Sequence, residues 1–287
     1  MTEKVLCPAK INLFLEVTGK RKDGYHDIDT VFHSVDLCDT VRVEVLTDPS
    51  GENGIELTCG GGLPTDRSNI AYRAAESFLE KYGITGQIIK IDIEKRIPVA
   101  AGLAGGSTDC AGVLIALERI FSTGDREGLL DLGRTLGADV PFCILGGAAR
   151  ASGIGEKLSK LPPAFFDWTL VIAKGREGVS TAEAYRNIDS LPEREIRSAD
   201  RLTDAYNRRD GWGVIDSMFN IFEKVSGNIG SVGRAKALMH SCGALGAMMS
   251  GSGPSVFGIF ADPDSADNAR RVLADEGFEA FVCRLVY

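Results

Sequence analysis

Alternation of apolar and polar residues marks several stretches of this chain as strands. Between Ile89 and Ile93 the apolar side chains fall on every second position, while Lys90 and Asp92 point to the opposite face. Two similar runs lie within residues 4–46, on either side of a polar stretch rich in glycine and lysine. The pattern predicts a half-buried strand at residues 89–93 and an N-terminal region rich in strands.

A period of three to four residues replaces the alternation elsewhere and predicts helices. One helix is predicted over 68–82 with Ser68 as its N-cap, and another after Ser107 or Thr108, each of which is a suitable N-cap. The second half of the chain mixes strands and helices without a strict strand-helix-strand repeat. This arrangement favours an α+β fold with largely antiparallel pairing.

Two consecutive prolines, Pro162 and Pro163, separate the two halves of the chain. Consecutive prolines stiffen an exposed connection and remove backbone donors, so they predict a linker. The length of 287 residues allows two domains of ordinary size. We therefore predict an N-terminal domain over 1–160 and a C-terminal domain over 165–287.

The run from Pro98 to Asp109 lies between a predicted strand and a predicted helix. Its glycines at 102, 105 and 106 allow turn conformations and let a ligand approach the main chain closely. The N-terminus of the following helix adds free N–H groups and the positive end of a dipole. The sequence therefore predicts a cradle for the phosphates of a nucleotide.

The spacing of this loop excludes two familiar phosphate-binding motifs. The dinucleotide fingerprint needs G-x-G-x-x-G and the P-loop needs G-x-x-x-x-G-K-S/T, whereas the chain has Gly102-Leu-Ala-Gly-Gly-Ser107 with no lysine before the Ser-Thr pair. A glycine-rich turn with a capping serine that binds no ligand remains open as the alternative.

The charge balance narrows the possible partners. A formal charge of −8 and a pI of about 5.1 argue against a nucleic-acid-binding protein, which usually carries a basic face. The seven cysteines have no C-x-x-C spacing and are typical of free thiols in a reducing compartment. The sequence shows neither a signal-peptide pattern nor an apolar stretch of membrane-spanning length. We predict a cytoplasmic protein with no nucleic-acid or membrane partner.

Three segments resemble the motifs of the GHMP kinase superfamily, in the same order: Pro8-Ala-Lys-Ile-Asn-Leu13, the loop at 98–109, and Ser250-Gly-Ser-Gly-Pro-Ser255. Asp23-Gly-Tyr-His26 and residues 136–142 narrow the resemblance to those members that act on a cytidine-diphosphate-linked methylerythritol in the non-mevalonate isoprenoid pathway. The resemblance implies a two-domain α+β GHMP-kinase-like fold with the active site in the cleft between domains.

The same resemblance assigns catalysis to Lys10 and Asp139. It implies that Asp139 accepts or orients the proton of the acceptor hydroxyl, while Lys10 keeps that carboxylate ionised and stabilises the transferring phosphoryl group. From the residues alone, Lys10 and Asn12 share one face of a strand and could equally face solvent. Asp139, two residues before Pro141, also suits a helix N-cap.

The acceptor substrate is implied to bind through a base-reading pair and a glycine turn. In the resembling kinases the tyrosine matching Tyr25 stacks on cytosine and the histidine matching His26 hydrogen-bonds its polar edge. Val179-Ser-Thr181 followed by Tyr185 resembles a second base-site segment, although Tyr185 could equally pack in a helix. The implied acceptor residues are Asn12, Tyr25, His26, Thr181, Tyr185, Gly251, Ser252 and Gly253.

The loop is implied to bind Mg-ATP, with Ser107 or Thr108 near the magnesium ion and no dedicated protein metal site. Alanine stands at 100, 101 and 104 where glycine is frequent in the family, which matters if position 104 requires a positive φ. The implied ATP-binding residues are Pro98, Val99, Ala100, Ala101, Gly102, Leu103, Ala104, Gly105, Gly106, Ser107, Thr108, Asp109, Asn69 and Lys95.

The resemblance thus implies an ATP-dependent small-molecule kinase that phosphorylates the 2-hydroxyl of a cytidine-diphosphate-linked polyol. Two alternatives stay open. Another GHMP kinase could carry the same three motifs, but an acceptor without a base gives no reason for the Tyr25-His26 pair. A nucleotide sensor could bind without reacting, with Lys10 and Asp139 as a structural ion pair.

Overall fold

A computed structural model describes residues 1–178, 180–192, 194–225 and 230–287. Strands and helices alternate irregularly along the chain, as the mixed periodicities predict. The strands are β1 (Thr2–Lys20), β2 (His26–Thr47), β3 (Gly54–Cys59), β4 (Gln87–Glu94), β5 (Ala148–Ser152), β6 (Lys157–Lys160), β7 (Thr169–Lys174), β8 (Phe219–Asn220), β9 (Gly246–Met249), β10 (Val256–Phe260) and β11 (Glu279–Cys283). The helices are α1 (Ile70–Lys81), α2 (Gly105–Phe121), α3 (Arg126–Leu136), α4 (Val140–Leu145), α5 (Thr181–Asp189), α6 (Asp200–Asn207), α7 (Gly211–Ser217), the 3₁₀ turn Ile221–Lys224, α8 (Gly230–Ser241) and α9 (Pro263–Asp275).

The strands form two sheets. The larger has the order β3-β4-β2-β1-β8, with β5 paired to β2 and β6 paired to β5, and the smaller has the order β11-β7-β10-β9. The pairs of the smaller sheet are antiparallel, whereas β3–β4 and β1–β8 in the larger sheet are parallel. The predicted α+β class is confirmed.

Interleaved segments of the chain make up two compact units. The first contains Met1–Ala9, Cys38–Val99 and Ala104–Leu145, and the second contains the remaining segments, Lys10–Leu37, Ala100–Leu103 and Gly146–Tyr287. The long strands β1 and β2 therefore each supply residues to both units. The domain boundary predicted at 160–165 stays a prediction. Each unit consists of several separate segments of the chain, so the two units do not test a single boundary in the sequence.

The core of the first unit gathers α1 and α2 against β2, β3 and β4. Ile89, Ile91 and Ile93 are 2% exposed or less, so the face predicted from their alternation is the buried one. Phe78 from α1 and Leu117 from α2 are fully buried in the same cluster. Burial of such side chains stabilises the unit by about 1.5–3 kcal/mol each.

The core of the second unit lies between the smaller sheet and helices α8 and α9. Val171, Val256 and Phe260 bury one face of the sheet against Met239 and Leu273 of the two helices. Every residue of β10 is buried, which explains why this strand reads as a continuous apolar run rather than an alternating one.

Two helix starts differ from the prediction. The α1 helix begins after Asn69, whose side chain accepts the Ala71 N–H, so Ser68 is not its N-cap. The α2 helix begins at Gly105, so the predicted caps Ser107 and Thr108 are wrong. Glycine can begin this helix because most helix stability in proteins comes from tertiary packing rather than from intrinsic propensity. In the described part of the chain, no helix is long and apolar enough to cross a membrane.

Candidate active site

The loop at 98–109 takes left-handed backbone conformations at three positions before α2 begins. Ala100, Gly102 and Ala104 have φ of 52°, 74° and 59°. Position 104 therefore requires a positive φ, and alanine adopts it there. Ala104 caps α2 without a side-chain hydrogen bond, so the first N–H groups of the helix stay available to a ligand.

Residues 100–103, the middle of the loop, belong to the second unit and are held by hydrogen bonds within it. The Lys10 N–H donates to the Leu103 carbonyl at 3.1 Å, and the Ser255 N–H donates to the Ala101 carbonyl at 3.3 Å. The Ser250 hydroxyl donates to the Gly102 carbonyl at 3.0 Å. A Cβ at Gly102 would lie 2.2 Å from the Ser250 carbonyl oxygen, so this close approach excludes every residue but glycine. Residues of the first, second and third sequence motifs thus meet within one unit.

Asn12 connects the buried amine of Lys10 to the turn at 250–253. Its Oδ1 accepts from Lys10 Nζ at 2.8 Å and from the Gly251 N–H at 2.9 Å, while its Nδ2 donates to Thr30 Oγ1 at 2.8 Å. Lys10 is 5% exposed, and its amine lies 5.2 Å from the centre of the Phe32 ring. Because all these groups are buried and bonded, the amine is held in one position.

The side chain of Asn220 in β8 holds the turn through two hydrogen bonds. The Asn220 Nδ2 donates to the Met249 carbonyl at 2.8 Å and to the Gly251 carbonyl at 2.9 Å. Gly251 and Gly253 have φ of 57° and 86°, conformations that glycine adopts without strain. The same turn therefore closes the hairpin between β9 and β10 and provides the Gly251 N–H that bonds the Lys10–Asn12 network.

A second group of predicted residues lies along α5. His26 is 9% exposed, its Nε2 lies 2.7 Å from Asp189 Oδ1, and its ring stacks on Tyr185 with centroids 4.7 Å apart. Thr181 Oγ1 and Ser252 Oγ share a hydrogen bond of 2.9 Å. The neighbouring Tyr25 is 61% exposed, so its ring is open to a ligand. Val179, the first residue of the predicted segment, lies outside the described residues.

In the first unit Lys95 lies between two buried carboxylates. Its amine contacts the Asp39 carboxylate and bonds Asp109 Oδ2 at 2.6 Å, with all three side chains 7% exposed or less. Burial raises the pKa of Asp109, although Lys95 opposes the shift. Burial lowers the pKa of Lys95, but the two carboxylates outweigh it and the net pKa is raised. The amine lies against the start of α2, since a Cβ at Gly105 would be 3.3 Å from it.

Asn69, Thr108 and Asp139 also belong to the first unit. Asn69 uses its side chain to cap α1 and to donate to the Pro64 carbonyl at 2.8 Å. Thr108 is 1% exposed and donates to the Pro8 carbonyl at 2.9 Å. Asp139 is half-buried, directly precedes α4, and its carbonyl accepts the Cys143 N–H at 3.1 Å.

Magnesium would have to be held mainly by ligand oxygens. Among residues 1–178, 180–192, 194–225 and 230–287, no group of three or more His, Cys, Asp or Glu side chains could hold a metal ion. Mg²⁺ in nucleotide sites commonly keeps waters and phosphate oxygens with one or two protein ligands. Ser107 fits that role better than Thr108, because its hydroxyl makes no hydrogen bond within the described residues.

Sequence reasoning missed four residues that position the predicted ones: Asp39, Thr30, Asp189 and Asn220. Asp189 follows Tyr185 by four residues, so a helix places both on one face, and this spacing could have pointed to it. Asp39 and Lys95 are 56 residues apart in sequence, and no local pattern links them.

Comparisons with known proteins show which family the chain belongs to. The family model described as "GHMP kinases N terminal domain" matches residues 69–147, and the model "GHMP kinases C terminal" matches residues 220–279. The 4-diphosphocytidyl-2-C-methyl-D-erythritol kinase of Clostridium botulinum (strain Eklund 17B / Type B) is 42% identical over 281 residues, which is 97% of this chain and 98% of that protein. The chain belongs to the 4-diphosphocytidyl-2-C-methyl-D-erythritol kinases, a family of GHMP kinases.

A further relative and two solved structures are also similar to this kinase. The enzyme of the same name from Syntrophomonas wolfei is 40% identical, over 96% of this chain and 95% of that one. A crystal structure of 4-(cytidine 5'-diphospho)-2C-methyl-D-erythritol kinase superposes with a TM-score of 0.80 at 35% identity, over 99% of this chain and 100% of that chain. Homoserine kinase from Cytophaga hutchinsonii, 20% identical with a TM-score of 0.74, shares the fold. The resemblance read from the motifs is confirmed, and the kinase is a small-molecule kinase that uses ATP.

Proposed function

We propose that this kinase transfers the γ-phosphoryl group of Mg-ATP to the 2-hydroxyl of 4-diphosphocytidyl-2-C-methyl-D-erythritol, giving the 2-phosphate and ADP in non-mevalonate isoprenoid biosynthesis. The observation that carries the proposal is the buried network Lys10–Asn12–Gly251, because it gathers residues of separate motifs around one amine. The names of relatives matching nearly the whole chain support the choice of acceptor. The seven cysteines are an odd number without C-x-x-C or zinc-like spacing in the sequence, which supports a cytoplasmic location.

The loop supplies the site for the ATP phosphates. Its left-handed turns and the uncapped N-terminus of the 17-residue helix α2 present backbone N–H groups to an anion. When bound, magnesium would offset the charge of the phosphates, and the Ser107 hydroxyl would help to hold it. Lys95 acts through the start of α2, because its own charge is already shared by two carboxylates.

Catalysis depends on Lys10 and Asp139. The oxygen of the acceptor hydroxyl attacks the γ-phosphorus, the bond between that phosphorus and the bridging oxygen breaks, ADP leaves, and the hydroxyl proton passes to Asp139. Lys10 offsets the negative charge on the transferring group. The fixed position of its amine matters because phosphoryl transfer relies mainly on positioning and charge stabilisation.

The cytidine end of the acceptor binds at the His26 and Tyr185 cluster. The exposed Tyr25 ring stacks on the base, and His26 bonds its polar edge. The turn at 250–253, bonded to Thr181 through Ser252, lies behind the diphosphate of the acceptor.

A coupled assay of ADP release, with the product identified by phosphorus NMR, tests the proposal. We expect turnover with the cytidine-linked acceptor and none with homoserine or mevalonate. Turnover on homoserine or mevalonate in place of the cytidine-linked acceptor would refute the assignment of the substrate. Asp139→Asn should lower kcat by about 10²–10⁴-fold while ATP binding measured by calorimetry is retained; activity within a few-fold of wild type would remove Asp139 from catalysis.

A further inference from the structure

The ring of His26 is held on its face and on its edge by one helix. Tyr185 and Asp189 are four residues apart in α5, so they lie on the same side of it. Tyr185 stacks on the imidazole with an interplanar angle of 20°, and Tyr185 in turn meets the Phe222 ring at 90°. Asp189 bonds the ring edge through Nε2 at 2.7 Å. The imidazole therefore has one orientation.

The Asp189 carboxylate determines which ring nitrogen carries the proton. Its second oxygen accepts from Lys20 Nζ at 2.6 Å, and the hydrogen bonds from Lys20 and His26 lower the pKa of this carboxyl. An ionised carboxylate can accept hydrogen bonds but cannot donate one. The Nε2 atom of His26 must then be the donor in their contact. A neutral imidazole with the proton on Nε2 presents a lone pair on Nδ1.

The Nδ1 atom is the part of the ring left for a ligand. The His26 side chain is 8% exposed. Within the described residues, Nδ1 makes no hydrogen bond, and it is not among the polar atoms sealed from solvent. A nearly buried ring with one nitrogen committed and the other reaching solvent is suited to read a single hydrogen-bonding group.

We propose that Asp189 sets the base preference of the acceptor site by fixing the tautomer of His26, so that Nδ1 accepts a hydrogen bond from an exocyclic amino group. Cytosine carries such an amino donor at C4, whereas uracil carries a carbonyl acceptor there. If uracil binds, its C4 carbonyl oxygen faces His26 Nδ1. Both atoms are acceptors, so neither forms a hydrogen bond, and the binding of uracil is disfavoured. The inference rests on the proposed function, in that the acceptor bears a cytidine. Asp189 is a positioning residue, since it acts through His26.

Steady-state kinetics on two acceptors test the inference. The cytidine-linked acceptor and its uridine-linked analogue are compared for wild type, Asp189→Asn and Lys20→Met. In Asp189→Asn the Lys20 ammonium selects the amide oxygen, so the amide NH₂ faces His26, donates to Nε2 and moves the proton to Nδ1. We expect the ratio of kcat/KM for cytidine over uridine to fall at least about ten-fold. Lys20→Met, which removes the other partner of Asp189, should keep the wild-type ratio. An Asp189→Asn ratio within two-fold of wild type would overturn the inference.

A spectroscopic measurement keeps the inference testable apart from turnover. The ¹⁵N shifts of the His26 ring in the wild-type protein should show a protonated Nε2 and an unprotonated Nδ1. A proton on Nδ1 instead would overturn the tautomer assignment, whatever the substrate is. If wild type lacks activity on the cytidine acceptor but shows the expected ring shifts, the proposed function fails while the tautomer assignment stands.

Discussion

The loop at 98–109 and the turn at 250–253 each place a glycine against a buried lysine amine, but the two lysines are held differently. A Cβ at Gly105 would lie 3.3 Å from Lys95 Nζ, and a Cβ at Gly251 would lie 3.4 Å from Lys10 Nζ. Lys95 bonds two carboxylates, whereas the Lys10 amine bonds the Asn12 side-chain amide. Lys95 is thus built into the support of its loop, whereas the Lys10 amine is joined to its turn through Asn12.

The backbone conformations differ as well. The turn uses glycine at both of its left-handed positions, whereas the loop uses alanine at two of its three. Gly102 is the exception in the loop, because a neighbouring carbonyl leaves no room for a Cβ. The comparison teaches that close backbone approach, rather than positive φ by itself, decides where glycine is required.

The largest effect is expected from Lys95→Met. The substitution leaves Asp39 and Asp109 buried without their cation, and removing one partner of a buried ion pair destabilises a protein by about 3–5 kcal/mol. Urea denaturation measures the loss. A loss below about 1 kcal/mol would contradict the structural role of Lys95.

Asp109→Asn is the matched control for that variant, since it keeps the ion pair of Lys95 with Asp39, whose net charge is zero. Burial raises the pKa of Asp109 to about 7, so the folded wild type favours the protonated form and loses stability as pH rises through that value. The variant cannot ionise there. We expect it to be more stable than wild type near pH 8, with the advantage shrinking toward about pH 5. An advantage independent of pH would contradict the assignment.

Gly102→Ala should come next, at about 3 kcal/mol, because it combines a left-handed φ with an overlap against backbone. Gly62→Ala is its control, since Gly62 has a φ of 68° and open space around its β position. That variant should lose about 1 kcal/mol. Thermal unfolding of both variants separates crowding from conformation; equal losses would show that crowding plays no part.

Gly253→Ala should lose about 1–2 kcal/mol, since the nearest atom to its Cβ, at 2.5 Å, is the sulfur of Met249. That end of a methionine side chain can move, so the overlap is relieved more easily than at Gly102. Gly243→Ala, with a φ of 92° and nothing nearby, is the control. A loss for Gly253→Ala as large as for Gly102→Ala would show that Met249 cannot yield.

The smallest effect is expected from Ala104→Gly. Glycine relieves the left-handed strain of alanine by about 1 kcal/mol but gains freedom in the unfolded chain, so the variant should match or slightly exceed wild type in stability. Ala237→Gly, at an exposed position in the interior of α8, should instead lose about 1 kcal/mol. Calorimetric melting curves compare the two, and a clear loss for Ala104→Gly would mean that its Cβ has a packing role.

Sequence periodicity predicted the elements around the loop but not the start of α2. Ile89, Ile91 and Ile93 alternate visibly, and their burial follows from that pattern. Ala104 in a left-handed cap could not be predicted, because alanine disfavours that conformation and neighbours impose it. The close approach of Lys10 to Gly251 has no local signal, because the two residues are far apart in the sequence. The contact of Asp39 with Lys95 depends on the pairing of β2 with β4, which tertiary structure alone supplies.

Backbone amide NMR of the full chain with a non-hydrolysable ATP analogue and Mg²⁺ tests the central claim most directly. If the loop holds the nucleotide phosphates, the amides of Gly105, Gly106 and Ser107 should shift on binding, while the ring signals of His26 and Tyr185 respond to cytidine diphosphate. Saturable binding of the analogue that leaves the three loop amides unchanged would contradict the account.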